Sequence, residues 1–122
     1  MSENKEASTA TFGDFEVDGV SYVIKYTTGQ VKLFEASNRP LMAIFAVSGG
    51  TPTVDELETL LSYGICEEGG GYLNPKVAFD MASRLVEENG YWPMYEKVMD
   101  ALGRDCNFLF AGMDRMMMRY LS

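Results

Sequence analysis

Few residues in this chain have types and spacings that could carry chemistry, and each has a plainer reading beside it. There is no histidine, so the commonest general base and the commonest transition-metal ligand are missing. The glycine run Gly69-Gly70-Gly71 invites comparison with a phosphate-cradling loop. It lacks the lysine and the strand–loop–helix setting of that motif, and Glu67 and Glu68 beside it would repel phosphate. A loop is the expected reading. The paired carboxylates Glu67/Glu68 and Glu87/Glu88 are sequence neighbours. Neighbours on a helix do not face each other, so they read as solvated charges and not as an acid–base pair. Cys66 and Cys106 lie forty residues apart, outside any metal or redox spacing, and read as reduced, partly buried thiols. No loop alternates acids as a calcium site requires. The expectation is a protein without catalytic residues, metal or cofactor, and not an enzyme.

One segment does suggest recognition. Met113, Met116, Met117 and Met118 fall within six residues, flanked by Arg115 and Arg119. Methionine is flexible and polarizable, and Met-rich faces adapt to varied apolar partners. A helix turns by about 100° per residue, so three consecutive methionines cannot all face one core. The segment is either a core helix with a stray exposed methionine or a docking face. Tyr120 and Leu121 continue its apolar side. Trp92 and Tyr95 form a weaker candidate, because aromatics at the start of a helix usually pack inward. The candidate protein-binding set is Met113, Met116, Met117, Met118, Tyr120, Leu121 and Trp92.

These residues need a scaffold, and the segment 12–36 is the most legible part of it. Asp18-Gly19 suits a type I′ two-residue loop, whose central residues both take φ > 0. That loop pairs Val17 with Val20, Phe15 with Tyr22 and Gly13 with Ile24. The apolar members then share one face, while Asp14, Glu16, Ser21 and Lys25 share the other, with Val23 as the exception. A slip of one residue would invert the pattern. A lone hairpin is marginal in water, so this one must lie on something apolar.

Helix starts are marked by Thr27-x-x-Gln30 and Thr53-x-x-Glu56, both capping-box patterns, and by Asn74-Pro75. Asn89-Gly90 and Leu102-Gly103 read as stops with glycine in a left-handed position. Helices are expected over about 29–37, 54–63, 75–89, 93–102 and 105–121. The run 40–47 fits a buried helix or a third strand beside the hairpin, and its Leu, Met and Ala favour helix. Val54, Leu57, Leu60 and Leu61 make one stripe; Val77, Ala78, Met81, Ala82, Leu85 and Val86 make another. A loop is expected over 64–74. The fold class is α+β, an N-terminal β-hairpin packed on a mainly helical domain of four to six helices. Residues 1–11 read as a polar, disordered tail and 12–122 as one domain.

The chain has 122 residues and a hydrophobic content of 47%, enough for one core. No apolar run approaches the ~20 residues of a membrane span, and the N-terminus lacks the apolar stretch of a signal peptide. The net charge of −8 argues against a nucleic-acid backbone as partner and suits a basic polypeptide.

The order of elements resembles the tail assembly chaperones of long-tailed bacteriophages and prophages. The likeness rests on Phe15, Val17, Asp18, Gly19 and Tyr22 of the hairpin, Lys32 and Glu35 of the following helix, and the segments DELETLL and NPKVAFDMASRLVEENG. It covers roughly 12–109, and the Met-rich segment has no counterpart in the family pattern. The resemblance implies a protein that binds the long tape measure protein, keeps it soluble and helps recruit tail tube protein. It also implies self-association, action in the bacterial host cytoplasm, and absence from the mature virion. The partners so implied are polypeptides, with no nucleic acid, membrane or small-molecule substrate. A structural tail or head–tail connector component, or a small acidic secretion-type chaperone, is the alternative.

Overall fold

In the computed structural model, residues 15–47 and 51–112 are described. The hairpin forms as its letters dictate. Strands β1 (Phe15–Val17) and β2 (Val20–Ile24) pair Phe15 with Tyr22 and Val17 with Val20. Asp18 and Gly19 take φ of 51° and 81°, the left-handed pair a type I′ loop needs. The Phe15 and Tyr22 rings stack at 5.6 Å, which locks the cross-strand pair. The expected partner of Ile24, Gly13, lies outside the described residues.

Helix α1 (Thr28–Ser37) starts where Thr27 accepts the Gln30 N–H. Only half of a capping box forms there. The Gln30 amide instead donates to the Tyr63 carbonyl at 2.7 Å, joining α1 to a later helix. The ambiguous run resolves as helix α2 (Leu41–Val47). Glu35 accepts the Leu41 N–H at 2.8 Å, so a carboxylate at the end of α1 satisfies an orphan donor at the start of α2.

Helix α3 (Val54–Gly64) opens on a complete capping box between Thr53 and Glu56. Glu56 also holds Arg39, with Nε–Oε2 at 2.8 Å and Nη2–Oε1 at 2.9 Å. Replacing Thr53 with Ala removes one cap bond and frees the carboxylate. We expect a loss of about 1 kcal/mol, read as a lower urea midpoint at unchanged slope.

The segment expected to be a loop, 64–74, contains a strand instead. β3 (Ile65–Glu67) runs antiparallel to β2, with Ile24 opposite Ile65, Val23 opposite Cys66 and Tyr22 opposite Glu67. The third strand therefore comes from here and not from 40–47. Beyond it Gly69, at φ 77°, turns the chain so that the Glu67 N–H reaches the Gly71 carbonyl. The sheet order is β1-β2-β3.

Helix α4 (Pro75–Asn89) has the expected bounds, with Asn74 as cap and proline in the first turn. Gly90, at φ 99°, ends it and donates to the Val86 carbonyl. Helix α5 (Tyr91–Asp105) extends beyond both expected ends. Gly103 is inside it and not in a left-handed stop, because two tertiary bonds carry the helix onward. Arg104 Nη2 donates to the Ile24 carbonyl at 2.7 Å, and Asp105 accepts the Tyr26 N–H at 3.0 Å. The expected helix over 105–121 does not begin at Asp105. A 3-10 turn (Asn107–Leu109) follows, and Gly112 sits at φ 82°. Residues 113–122 lie outside the described residues, as does the expected N-terminal tail 1–11.

Helix α3 is the centre of the domain, touching α1, α4, α5 and β2. Its Leu57, Leu60 and Leu61 are buried with Ile24, Phe34, Leu41, Ile44, Ile65, Met94, Val98 and Leu102. The expected stripes hold except at two ends: Val54 and Val77 are about half exposed. Val54 is the first residue of α3, ahead of its stripe. Val77 lines a shallow groove with Val17 and Asp18 of the hairpin. Both cysteines are free and buried, in line with the reading of two reduced thiols. Among the described residues no helix is long and apolar enough to cross a membrane.

Two carboxylates among the described residues contribute to the acid limb of stability. Hydrogen bonds from Arg104 hold the Asp105 carboxyl below its ordinary range against the opposing effect of burial, helped by the Tyr26 N–H and by Lys25. Burial pushes Glu56 up, but the Thr53 N–H and Arg39 outweigh it and hold the carboxyl low. Groups with lowered folded pKa contribute fully above the ordinary carboxylate range of about 4, and the contribution fades as pH falls through the folded values. Thermal midpoints should therefore fall steeply only below about pH 4. Asp105→Asn should flatten that limb while lowering the midpoint at neutral pH.

Candidate protein-interaction surface

The outward face of α5 carries the most exposed aromatic chemistry among the described residues. Gly90 makes it possible by ending α4 and starting α5 without an intervening loop. The first turn then presents Tyr91, Trp92 and Pro93 together. Tyr91 is the anchor: its hydroxyl donates to the Pro52 carbonyl, just before α3. Its ring lies parallel to Tyr95 at 6.0 Å, and burial raises its pKa, with Tyr95 and Glu56 adding to the effect. Trp92 stands edge-on to both, 5.0 Å from Tyr91 and 5.7 Å from Tyr95. The indole itself is 62% exposed.

One turn further along, Met99 extends the apolar strip, and Glu96 and Asp100 border it. Trp92, Pro93, Tyr95, Glu96, Met99 and Asp100 line a shallow groove of about 470 Å³. Pro93 apart, their spacing, at i, i+3, i+4, i+7 and i+8 from Trp92, is that of one helix face. An aromatic fixed by its neighbours and offered to solvent loses little side-chain freedom on binding, which is why Trp and Tyr dominate interface hot spots. The two carboxylates favour a partner with a basic group beside its apolar anchor.

Trp92 is thus largely exposed, and not packed inward as its place at a helix start suggests. Met113, Met116, Met117, Met118, Tyr120 and Leu121 lie outside the described residues. The sequence reading missed Glu96, Met99 and Asp100 as neighbours of Trp92. Counting helical spacing forward from Trp92 finds all three.

A second groove, of about 300 Å³, lies between α1, α3 and the start of α4, lined by Gln30, Leu33, Tyr63, Leu73 and Phe79 among others. Leu33 is 55% exposed at its rim. Tyr72, on the same rim, donates to the Lys25 carbonyl at 2.7 Å, and burial pushes its phenol up to about 12. Its hydroxyl is thus committed to the backbone as a neutral donor. Among the described residues no group of three or more His, Cys, Asp or Glu side chains could hold a metal ion.

No protein-family model matches this chain, and neither a curated protein nor a solved structure matches it.

Proposed function

We propose that this protein is a tail assembly chaperone of the kind found in long-tailed phages and prophages. It coats the tape measure protein in the host cytoplasm, keeps it soluble, helps recruit tail tube subunits, and is absent from the finished particle. It acts by binding and not by catalysis. The observation that carries this reading is the exposed Trp92, set edge-on to Tyr91 and Tyr95 beside the half-buried Met99, with a border of Glu96 and Asp100. Such a surface suits a long helical partner that offers apolar side chains next to lysine or arginine. The resemblance of the hairpin and the following helices to that chaperone family supports the same partner. Individual contacts can stay weak, because many copies along one partner bind with avidity and can still be displaced by a growing tube.

Co-expression with a phage tape measure protein is the test. The expected result is a soluble complex and a tape measure protein that precipitates when expressed alone. Failure to solubilise or co-purify with it overturns the reading. Mass spectrometry of purified virions separates a chaperone, which should be missing, from a connector component, which should be present in fixed copy number.

A further inference from the structure

We propose, resting on the reading of the Trp92 strip as a polypeptide-binding surface, that its partner docks as one basic amphipathic α-helix laid lengthwise along α5, with Gly103 as the point of closest approach. Trp92, Glu96, Met99 and Gly103 stand at i, i+4, i+7 and i+11, one line down the outward face of α5. The buried residues Met94, Val98, Ala101 and Leu102 occupy the opposite side. The line is about 16 Å long, so only an elongated partner covers both of its ends.

Gly103 is the unexplained residue on that line. It is exposed, lies inside α5 and takes no left-handed φ, so its backbone does not call for glycine. A Cβ built on it would meet nothing within 4 Å, so packing inside the molecule does not call for glycine either. Glycine is among the poorest helix formers, and it weakens α5 here with no compensating contact among the described residues. What the missing side chain provides is a notch in the helix surface. Packed helix axes lie roughly 8–10 Å apart, according to the side chains between them, and a bare Cα brings a second backbone to the short end of that range.

Charge sets the kind of helix. Glu96 lies on the line and Asp100 beside it, both exposed, and among the described residues neither forms an ion pair. A second copy meeting the strip through its own strip would set carboxylate against carboxylate, in a chain whose net charge is −8. A helix with Lys or Arg flanking an apolar stripe fits instead. Its cations reach Glu96 and Asp100 while its apolar side chains cover Trp92 and Met99 and fill the notch at Gly103.

The test uses the full chain and a synthetic peptide of about 18 residues, marginally helical alone, with a leucine–alanine stripe flanked by lysines. A peptide with the same stripe flanked by glutamates is the control. Trp92, the sole tryptophan, reads binding directly. The lysine peptide should shift its emission to the blue and gain helicity by circular dichroism, and the glutamate peptide should do neither. Gly103→Ala should raise the thermal midpoint of the free chain by about 2–4 °C, yet weaken the lysine peptide about 5-fold. Gly103→Leu should weaken it about 50-fold, although it adds apolar surface. A partner touching only the Trp92 end would be indifferent to both changes, and one lying farther off would bind the leucine variant more tightly. Either outcome overturns the proposal, as does a lysine peptide that leaves Trp92 unmoved or binds without becoming helical. A midpoint lowered by Gly103→Ala overturns it by showing that the glycine serves the fold. Trp92 emission that depends on the concentration of the chain alone overturns it in favour of a second copy. A tape measure protein that co-purifies equally well with the Gly103→Leu chain overturns the docking mode and leaves the chaperone reading standing. A lysine peptide that binds as expected, beside a tape measure protein that stays insoluble, does the reverse.

Discussion

Gly64→Ala should be among the most destabilising single-methyl additions in this protein. A Cβ at that position would lie 2.5 Å from Tyr26 Cζ and 2.7 Å from its hydroxyl oxygen. The ring has little room to move. Tyr26 is buried, its hydroxyl donates to the Leu60 carbonyl at 2.7 Å, and its own N–H is held by Asp105. Gly64 is fixed as well, because its carbonyl accepts the Lys25 N–H at 2.8 Å where α3 gives way to β3. Forcing a methyl group into packed surroundings costs about 1–3 kcal/mol, occasionally more, and loss of the buried phenol's bond would add to it. We expect about 3 kcal/mol, or a fall of roughly 10 °C in thermal midpoint. Tyr26→Leu should cost stability alone yet relieve the clash, so the double variant should lose less than the sum of the two. An alanine variant within about 0.5 kcal/mol of the parent would show that the close approach is not maintained in solution.

Trp92→Ala should do the opposite: leave the fold intact and remove binding. The indole is mostly solvent-exposed, and its deletion uncovers no buried group. Under the proposed function it is the central anchor for the tape measure protein, and truncating such an anchor costs about 2 kcal/mol or more, roughly 30-fold in affinity. The same substitution should move the thermal midpoint by no more than a degree or two. Calorimetry on the purified complex and a melting curve of the free chain read the two quantities separately. A midpoint drop of many degrees with affinity unchanged would return Trp92 to the ordinary core.

The contrast between these two positions shows what could be read in advance. The hairpin, α3 and α4 were legible because local signals agreed with tertiary demands: a left-handed Asp-Gly pair, a capping box, and an Asn-Pro start. β3 was not, since three residues, Ile-Cys-Glu, are too short to show alternation and run straight into glycines. Its identity is conferred by β2, which lies forty residues earlier. Gly103 misled for a related reason, as Arg104 and Asp105 bond to the backbone of Ile24 and Tyr26 and hold the helix past a glycine that would otherwise end it. The candidate surface was half legible. The Trp92 spacing was in the letters, but its exposure depends on which face of α5 meets α3, and only packing decides that.

The place of β3 also orders events in time. The hairpin leaves the ribosome well before β3, so its inner edge, along Tyr22, Val23 and Ile24, meets its partner only after Glu67 has been made. Until then Ser21, Val23 and Lys25 offer unpaired backbone groups that a neighbouring nascent chain could take. In a polysome producing many copies at once, the interval between synthesis of residue 24 and residue 67 is when this protein is most exposed to mispairing with its own kind.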